Sequence, residues 1–135
     1  MEEKKGTLYL NSFYESKSNP DLYRISIARG NYSKIAVVNE TLSSLAPSKE
    51  LFSYAQTVKK KPYHNYFDWF DVYTESYKKQ LAEDNKAIEE LYHIKELLDS
   101  GKDVEILCFC RSYKRCHRRI VGDMFKKFKY DVIFN

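Results

Sequence analysis

The concentrated chemistry of this 135-residue chain lies in one segment, CFCRSYKRCHRR at residues 108 to 119, which holds Cys108, Cys110, Cys116 and His117 among five cations. Cysteine can supply a thiolate nucleophile, histidine a base near neutral pH, and arginine a bidentate grip on phosphate or carboxylate. A helix beginning near Cys116 would carry Cys116, His117, Arg118 and Arg119 in its first turn. Unpaired N–H groups and the macrodipole already favour an anion there. Two arginines at that end are unfavourable for the helix alone, and a bound anion removes the conflict. A cysteine at a helix start beside cations is expected to ionise readily, so thiolate character is expected at Cys116.

Plainer readings stand beside this one. Cysteine is among the most buried residue types, so Cys108, within an apolar run, reads as core, and Cys110, at its end, stands between core and site. Arg115, Arg119 and Lys126, Lys127 and Lys129 read as a solvated helix face. Metal ligation by Cys110, Cys116 and His117 is the weaker reading, because a structural zinc site draws on four ligands, often as two close pairs. The other histidines, His64 and His93, sit on distant elements. Neither a metal nor a cofactor is expected. Adjacent helical residues diverge by about 100°, so Cys116 and His117 are not expected to hydrogen-bond, and a base would come from elsewhere.

The elements that must position these groups follow from hydrophobic period and punctuation. Thr7 to Asn11 (TLYLN) and Leu22 to Ala28 (LYRISIA) read as strands, the second ending at Arg29-Gly30. Ile35 to Val38 is β-rich but short, and Leu42 to Leu45 fits either helix or loop. Pro47-Ser48 opens a helix with Leu51, Phe52, Ala55 and Val58 on one face. After the aromatic run YHNYFDWFDVY, a stripe from Tyr77 to Leu98 predicts one long helix capped at Gly101. Val104 to Cys110 (VEILCFC) reads as a central strand covered on both faces. A helix from near Cys116, with Ile120, Val121, Met124, Phe125 and Phe128 inward, leads to a closing strand, Asp131 to Phe134.

Strands alternating with helices predict a single three-layer α/β domain over residues 1 to 135, with a small, mainly parallel, Rossmann-like sheet and helices on both faces. In such sheets ligands bind beyond the carboxyl ends of the strands, which directs attention to residues 110 to 118, including Cys110 and Arg111.

Composition narrows the function classes. The chain is 43% hydrophobic with only four Gly and three Pro, which argues for a folded core rather than disorder. The net charge of +4 does not by itself imply nucleic acid. From Arg111 to Lys129, however, eight cations face one acid, Asp123. No apolar run reaches the roughly 20 residues of a membrane span, the first residues show no signal-peptide core, and three clustered cysteines suit a reducing compartment. A cytoplasmic location is the expectation.

With these residues in view, the chain resembles domain-of-unknown-function family 488, found in bacteria and phages. The resemblance runs through LNSFY (Leu10 to Tyr14), ISIARG (Ile25 to Gly30), LAP (Leu45 to Pro47) and the strand ILCFC followed by CHR, the most specific part. Family members carry an acidic residue two positions after the strand cysteine, where this chain has Cys110. The resemblance implies a compact α/β domain in which Asn11, Ser12, Ser26, Arg29 and Gly30 face Cys116, His117 and Arg118. Arg29 would stand beside the Cys-His-Arg turn if the second strand neighbours the strand leading to it.

The leading functional expectation is a pocket for a small anionic ligand, phosphorylated or nucleotide-like, held by Arg29 and Arg118, with Cys116 and His117 at its reactive end. Two alternatives lack catalysis. One is nucleic-acid binding through the basic C-terminal helix and the aromatics between Tyr63 and Tyr73. The other is a dimer or partner patch built from Tyr63, Tyr66, Trp69 and Phe70.

Overall fold

A computed structural model describes residues 4–14, 21–28, 38–61, 69–109 and 116–135. Arg29, Gly30, Cys110 and Arg111, together with Tyr63, His64 and Tyr66, lie outside the described residues. The strands are β1 (Leu8–Ser12), β2 (Tyr23–Ser26), β3 (Glu40–Thr41), β4 (Val104–Cys108) and β5 (Val132–Phe134). The helices are α1 (Lys49–Lys59), α2 (Trp69–Ala82), α3 (Asn85–Asp99) and α4 (His117–Lys127), and a 3-10 turn spans Ser43–Leu45. The chain is thus the expected small α/β domain, with every described strand pair parallel.

Strand order is β3-β2-β4-β1-β5, so the late strand β4 inserts between the two earliest ones. All five β4 residues are buried, as expected of a mainly apolar strand covered on both sides, Glu105 being paired there with Arg24. Register pairs Leu10 with Ile106 and Ile106 with Ile25, and Ser12 with Cys108. Because side chains alternate, Leu8, Leu10, Ser12, Val104, Ile106 and Cys108 share one face, while Asn11, Arg24, Ser26, Glu105 and Leu107 share the other. Helix α4 packs on the first face. A Cβ at Gly122 would lie 2.5 Å from Leu10 Cδ1, a proximity that a residue without a side chain permits.

Local sequence explains most element boundaries. Ser48 accepts from the Leu51 N–H at 3.1 Å and caps α1, as its position after Pro47 predicts. The long helix expected from Tyr77 to Leu98 is instead two. Asp84 turns extended, accepts from Lys86 N–H at 3.0 Å and starts α3 afresh, allowing α2 and α3 to fold against each other. Gly101, at φ 94°, ends α3 in a Schellman arrangement, with Gly101 N–H on the Leu98 carbonyl and Lys102 N–H on that of Leu97.

The edge strand β3 has only two residues, and side chains hold it. Tyr23 donates its hydroxyl to Glu40, and His93 of α3 meets the same carboxylate at 2.7 Å. Burial pushes the Glu40 carboxyl up, but the Tyr23 and His93 hydrogen bonds outweigh it and hold the group below its ordinary value. The Glu40 hydrogen bond is also the main cause that pushes the Tyr23 phenol up to about 12.

Two outcomes follow for stability. Asp84→Ala should lower the unfolding free energy in urea by about 1 kcal/mol, the usual worth of an N-cap; no loss would mean that α2 and α3 separate for another reason. A carboxyl with a depressed folded pKa stabilises above its unfolded value, near 4.5, and the contribution fades as pH falls through the folded value. A phenol raised from 10.0 to about 12 contributes fully below 10 and loses its contribution as pH rises toward 12. Wild type should therefore exceed Tyr23→Phe in stability by a constant margin between these limits, and the margin should shrink on both sides.

Candidate functional site

At the carboxyl end of the sheet three backbone features meet. Strand β4 ends at Cys108, the extension of β2 reaches Ile27, and α4 starts beside both. Ile27 N–H bonds the Leu107 carbonyl at 3.0 Å, so β2 continues alongside β4 past its last strand residue. Cys116 is the N-cap of α4, with extended backbone at φ −137° and ψ 147°, and Arg119 N–H closes the first turn on its carbonyl at 3.0 Å.

These positions bring four side chains together. The sulfurs of Cys108 and Cys116 lie 3.0 Å apart, and Cys116 Sγ is 3.7 Å from His117 Nδ1. Arg118 Nη1 donates to Cys108 Sγ at 3.3 Å, and its Nη2 donates to the Asn135 carbonyl at 3.3 Å. The cluster is shielded: Cys108 and Arg118 are 0% exposed, Cys116 2% and His117 6%. A buried guanidinium beside a sulfur favours the charged thiolate electrostatically.

The histidine has a defined tautomer. Its Nε2 lies 2.9 Å from the Ile27 carbonyl, which can only accept, so Nε2 carries the proton. In the neutral ring Nδ1 is then a lone pair turned toward Cys116. This reverses the expectation that neighbouring residues could not meet. The 100° divergence applies only where both residues are helical, and Cys116, as an extended N-cap, is not.

Tyr77 of α2 walls the cluster, its ring edge-on to His117 at 5.8 Å and its hydroxyl donating to the Leu45 carbonyl at 2.5 Å. Burial, then the proximity of Tyr73, Cys116 and Cys108, holds the Tyr77 phenol well above its ordinary range, so it stays a neutral donor.

The other expected site residues divide. Ser12 shares the face of Cys108 and is its register partner, with Oγ accepting from Tyr14 N–H at 3.2 Å. Asn11 and Ser26 sit on the opposite face, so the sheet parts them from the side chains of Cys108 and α4. Asn11 Nδ2 donates to Glu105, whose other oxygen takes Arg24 Nε at 3.0 Å in a buried polar chain. Ser26 Oγ accepts from Ala28 N–H at 3.3 Å. Period-two alternation separates Asn11 from Ser12, a distinction that their adjacency in a motif conceals.

Cys108 is the participant that reading it as core overlooks. It is fully buried, as that reading requires, yet its sulfur touches Cys116 and Arg118. The available signal was its place as the last strand residue before the helix that carries Cys116. The aromatic patch fares differently: Trp69, Phe70 and Tyr73 pack with one another in the core at 1, 8 and 5% exposure, so they present no outward face. Among the described residues no helix is long and apolar enough to cross a membrane.

A separate hollow lies elsewhere on the chain, and none of Cys108, Cys116, His117 and Arg118 lines it. Ala28 lines this hollow of about 430 Å³, whose other walls include Thr41, Ser43, Ser44, Ser48, Gln80 and Asp84. Hydroxyl, amide and carboxylate groups share its walls about equally with apolar surface from residues such as Ala28, Ala46 and Pro47.

Comparison with known proteins gives one positive result: residues 8–129 match the family model described as the active DUF488-N3 subclade. No curated protein and no solved structure matches the chain. The matched span contains all of β1 to β4 and α1 to α4 with the Cys-His-Arg turn, and the chain therefore belongs to the DUF488 family.

Proposed function

We propose that this domain binds a small anionic ligand, phosphorylated or nucleotide-like, at the start of α4, and that Cys116 and His117 form its reactive pair. The observation that carries the reading is the tautomer imposed by Ile27. With Nε2–H committed to the carbonyl, Nδ1 can take a proton from Cys116 Sγ, 3.7 Å away. Nucleophile, base and orienting acceptor are then present in sequence, the general arrangement of an activated thiol. The separation is loose for a hydrogen bond, as such contacts often are without ligand.

Charge supports an anion. The first turn of α4 holds no acid, and its cationic side chains and the helix macrodipole favour negative charge. Nucleic-acid binding draws less support, since Trp69 and Phe70 are not available for stacking.

Thermal unfolding in a panel of nucleotides and sugar phosphates should show stabilisation by at least one phosphorylated compound and none by its uncharged analogue. Phosphate-independent or absent shifts would remove the anion reading. For the pair, iodoacetamide modification of Cys116 in reduced wild type should persist well below pH 8.5, the ordinary thiol value. In His117→Asn that reactivity should fall about tenfold at neutral pH; equal rates in both proteins would exclude His117 as the base.

A further inference from the structure

We infer that Cys108, Cys116 and His117 form a binding site for a thiophilic divalent cation of the zinc type. This goes beyond the preceding reading: a metal held by Cys116 and Nδ1 takes the electron pairs that the reactive pair would use, so it stands beside the anion site rather than that pair, and its test needs no ligand. It also departs from the sequence expectation, which paired Cys116 and His117 with Cys110 and weighed the metal down.

The donor atoms of these three residues all lie within 4.8 Å of one another, and all three side chains are buried. Their identity, two thiolates and one imidazole, is a set that zinc accepts with a further position left for water or substrate. At Zn–S of about 2.3 Å and Zn–N of about 2.1 Å, tetrahedral geometry separates a sulfur from a nitrogen by roughly 3.6 Å and two sulfurs by roughly 3.8 Å. The Cys116–His117 distance of 3.7 Å already matches. The sulfurs, at 3.0 Å, need to part by a little under 1 Å.

The surroundings are those of a metal ligand set. Ligating histidines nearly always donate their second nitrogen to a carbonyl or carboxylate, which fixes the tautomer and the ring plane. His117 does this, presenting Nδ1 beside the thiol while Nε2 is held at 2.9 Å by Ile27. Arg118 donates to Cys108 Sγ, an interaction compatible with a bound thiolate. A divalent cation with two thiolates and a neutral imidazole is neutral by itself, and with the buried Arg118 guanidinium the cluster carries one positive charge, which an anionic ligand at the open position would balance. Binding releases the two thiol protons, and metal and proton compete for the Cys116 and Nδ1 lone pairs. An anionic ligand then meets a cation at the open position as well as the α4 terminus.

The test is titration of the full-length, reduced, metal-free protein with Co²⁺ under anaerobic conditions. One equivalent should produce a thiolate-to-cobalt charge-transfer band and intense visible bands of a tetrahedral centre, and Zn²⁺ should displace it. Native mass spectrometry should show one metal bound with loss of two protons. Cys108→Ser and Cys116→Ser should each roughly halve the charge-transfer intensity, and the double variant should abolish it. His117→Ala should weaken binding by more than about 100-fold, beyond what loss of an outer partner causes. Wild type read by mass spectrometry covers the case in which a variant fails to fold. Absence of the band in wild type, its undiminished survival in the Cys108 variant, or recovery of the pair as a disulfide without metal would overturn the inference. A ligand-induced thermal shift in the metal-free protein would leave the anion reading standing on its own.

Discussion

The hydrogen bond from His117 Nε2 to the Ile27 carbonyl ties the first residue of α4 to the end of β2, and the site depends on it. It joins elements 90 residues apart in sequence. It selects the tautomer, turns Nδ1 to Cys116, and satisfies a buried carbonyl just beyond the strand, where leaving such a group unpaired costs about 1–3 kcal/mol. The bond is available only because β4 lies between β1 and β2, which places the carboxyl ends of β2 and β4 side by side under the start of α4.

The same arrangement makes the cluster both shielded and polar. Cys108 ends a fully buried strand, Cys116 caps the helix above it, and Arg118 reaches back to the sulfur from within the first turn. A buried cation in that position needs negative charge nearby, and thiolates, an anionic ligand or both can supply it. On the other face of the sheet Arg24, Glu105 and Asn11 make a separate buried chain. Removing one partner of such an ion pair costs about 3–5 kcal/mol, so this face stabilises the strands whose ends carry the chemistry on the opposite side.

Much of the fold could be read from the residues. The apolar run at Val104, the Ser48 cap, Gly101 and the Cys116 helix start are local signals, and each appears where its chemistry places it. The break at Asp84 leaves no mark in the apolar stripe, which continues in phase across it, and one capping carboxylate decides the matter. The two residues of β3 are too few for a pattern, being held by Tyr23 and His93 from elsewhere. The site was legible as a segment but not as a constellation: Cys108 belongs to it through its sulfur, and Asn11 points away from it.

Residue types and periods alone determined a parallel α/β domain and a Cys-His-Arg turn at a helix start, because hydrophobic period, caps and glycine conformations are properties of a few neighbouring residues. Only the tertiary structure decided which thiol meets Cys116, which nitrogen of His117 bears the proton, and which of Asn11 and Ser12 shares a face with the cluster. Those outcomes depend on strand order and register, and both are set by contacts between residues far apart in the chain.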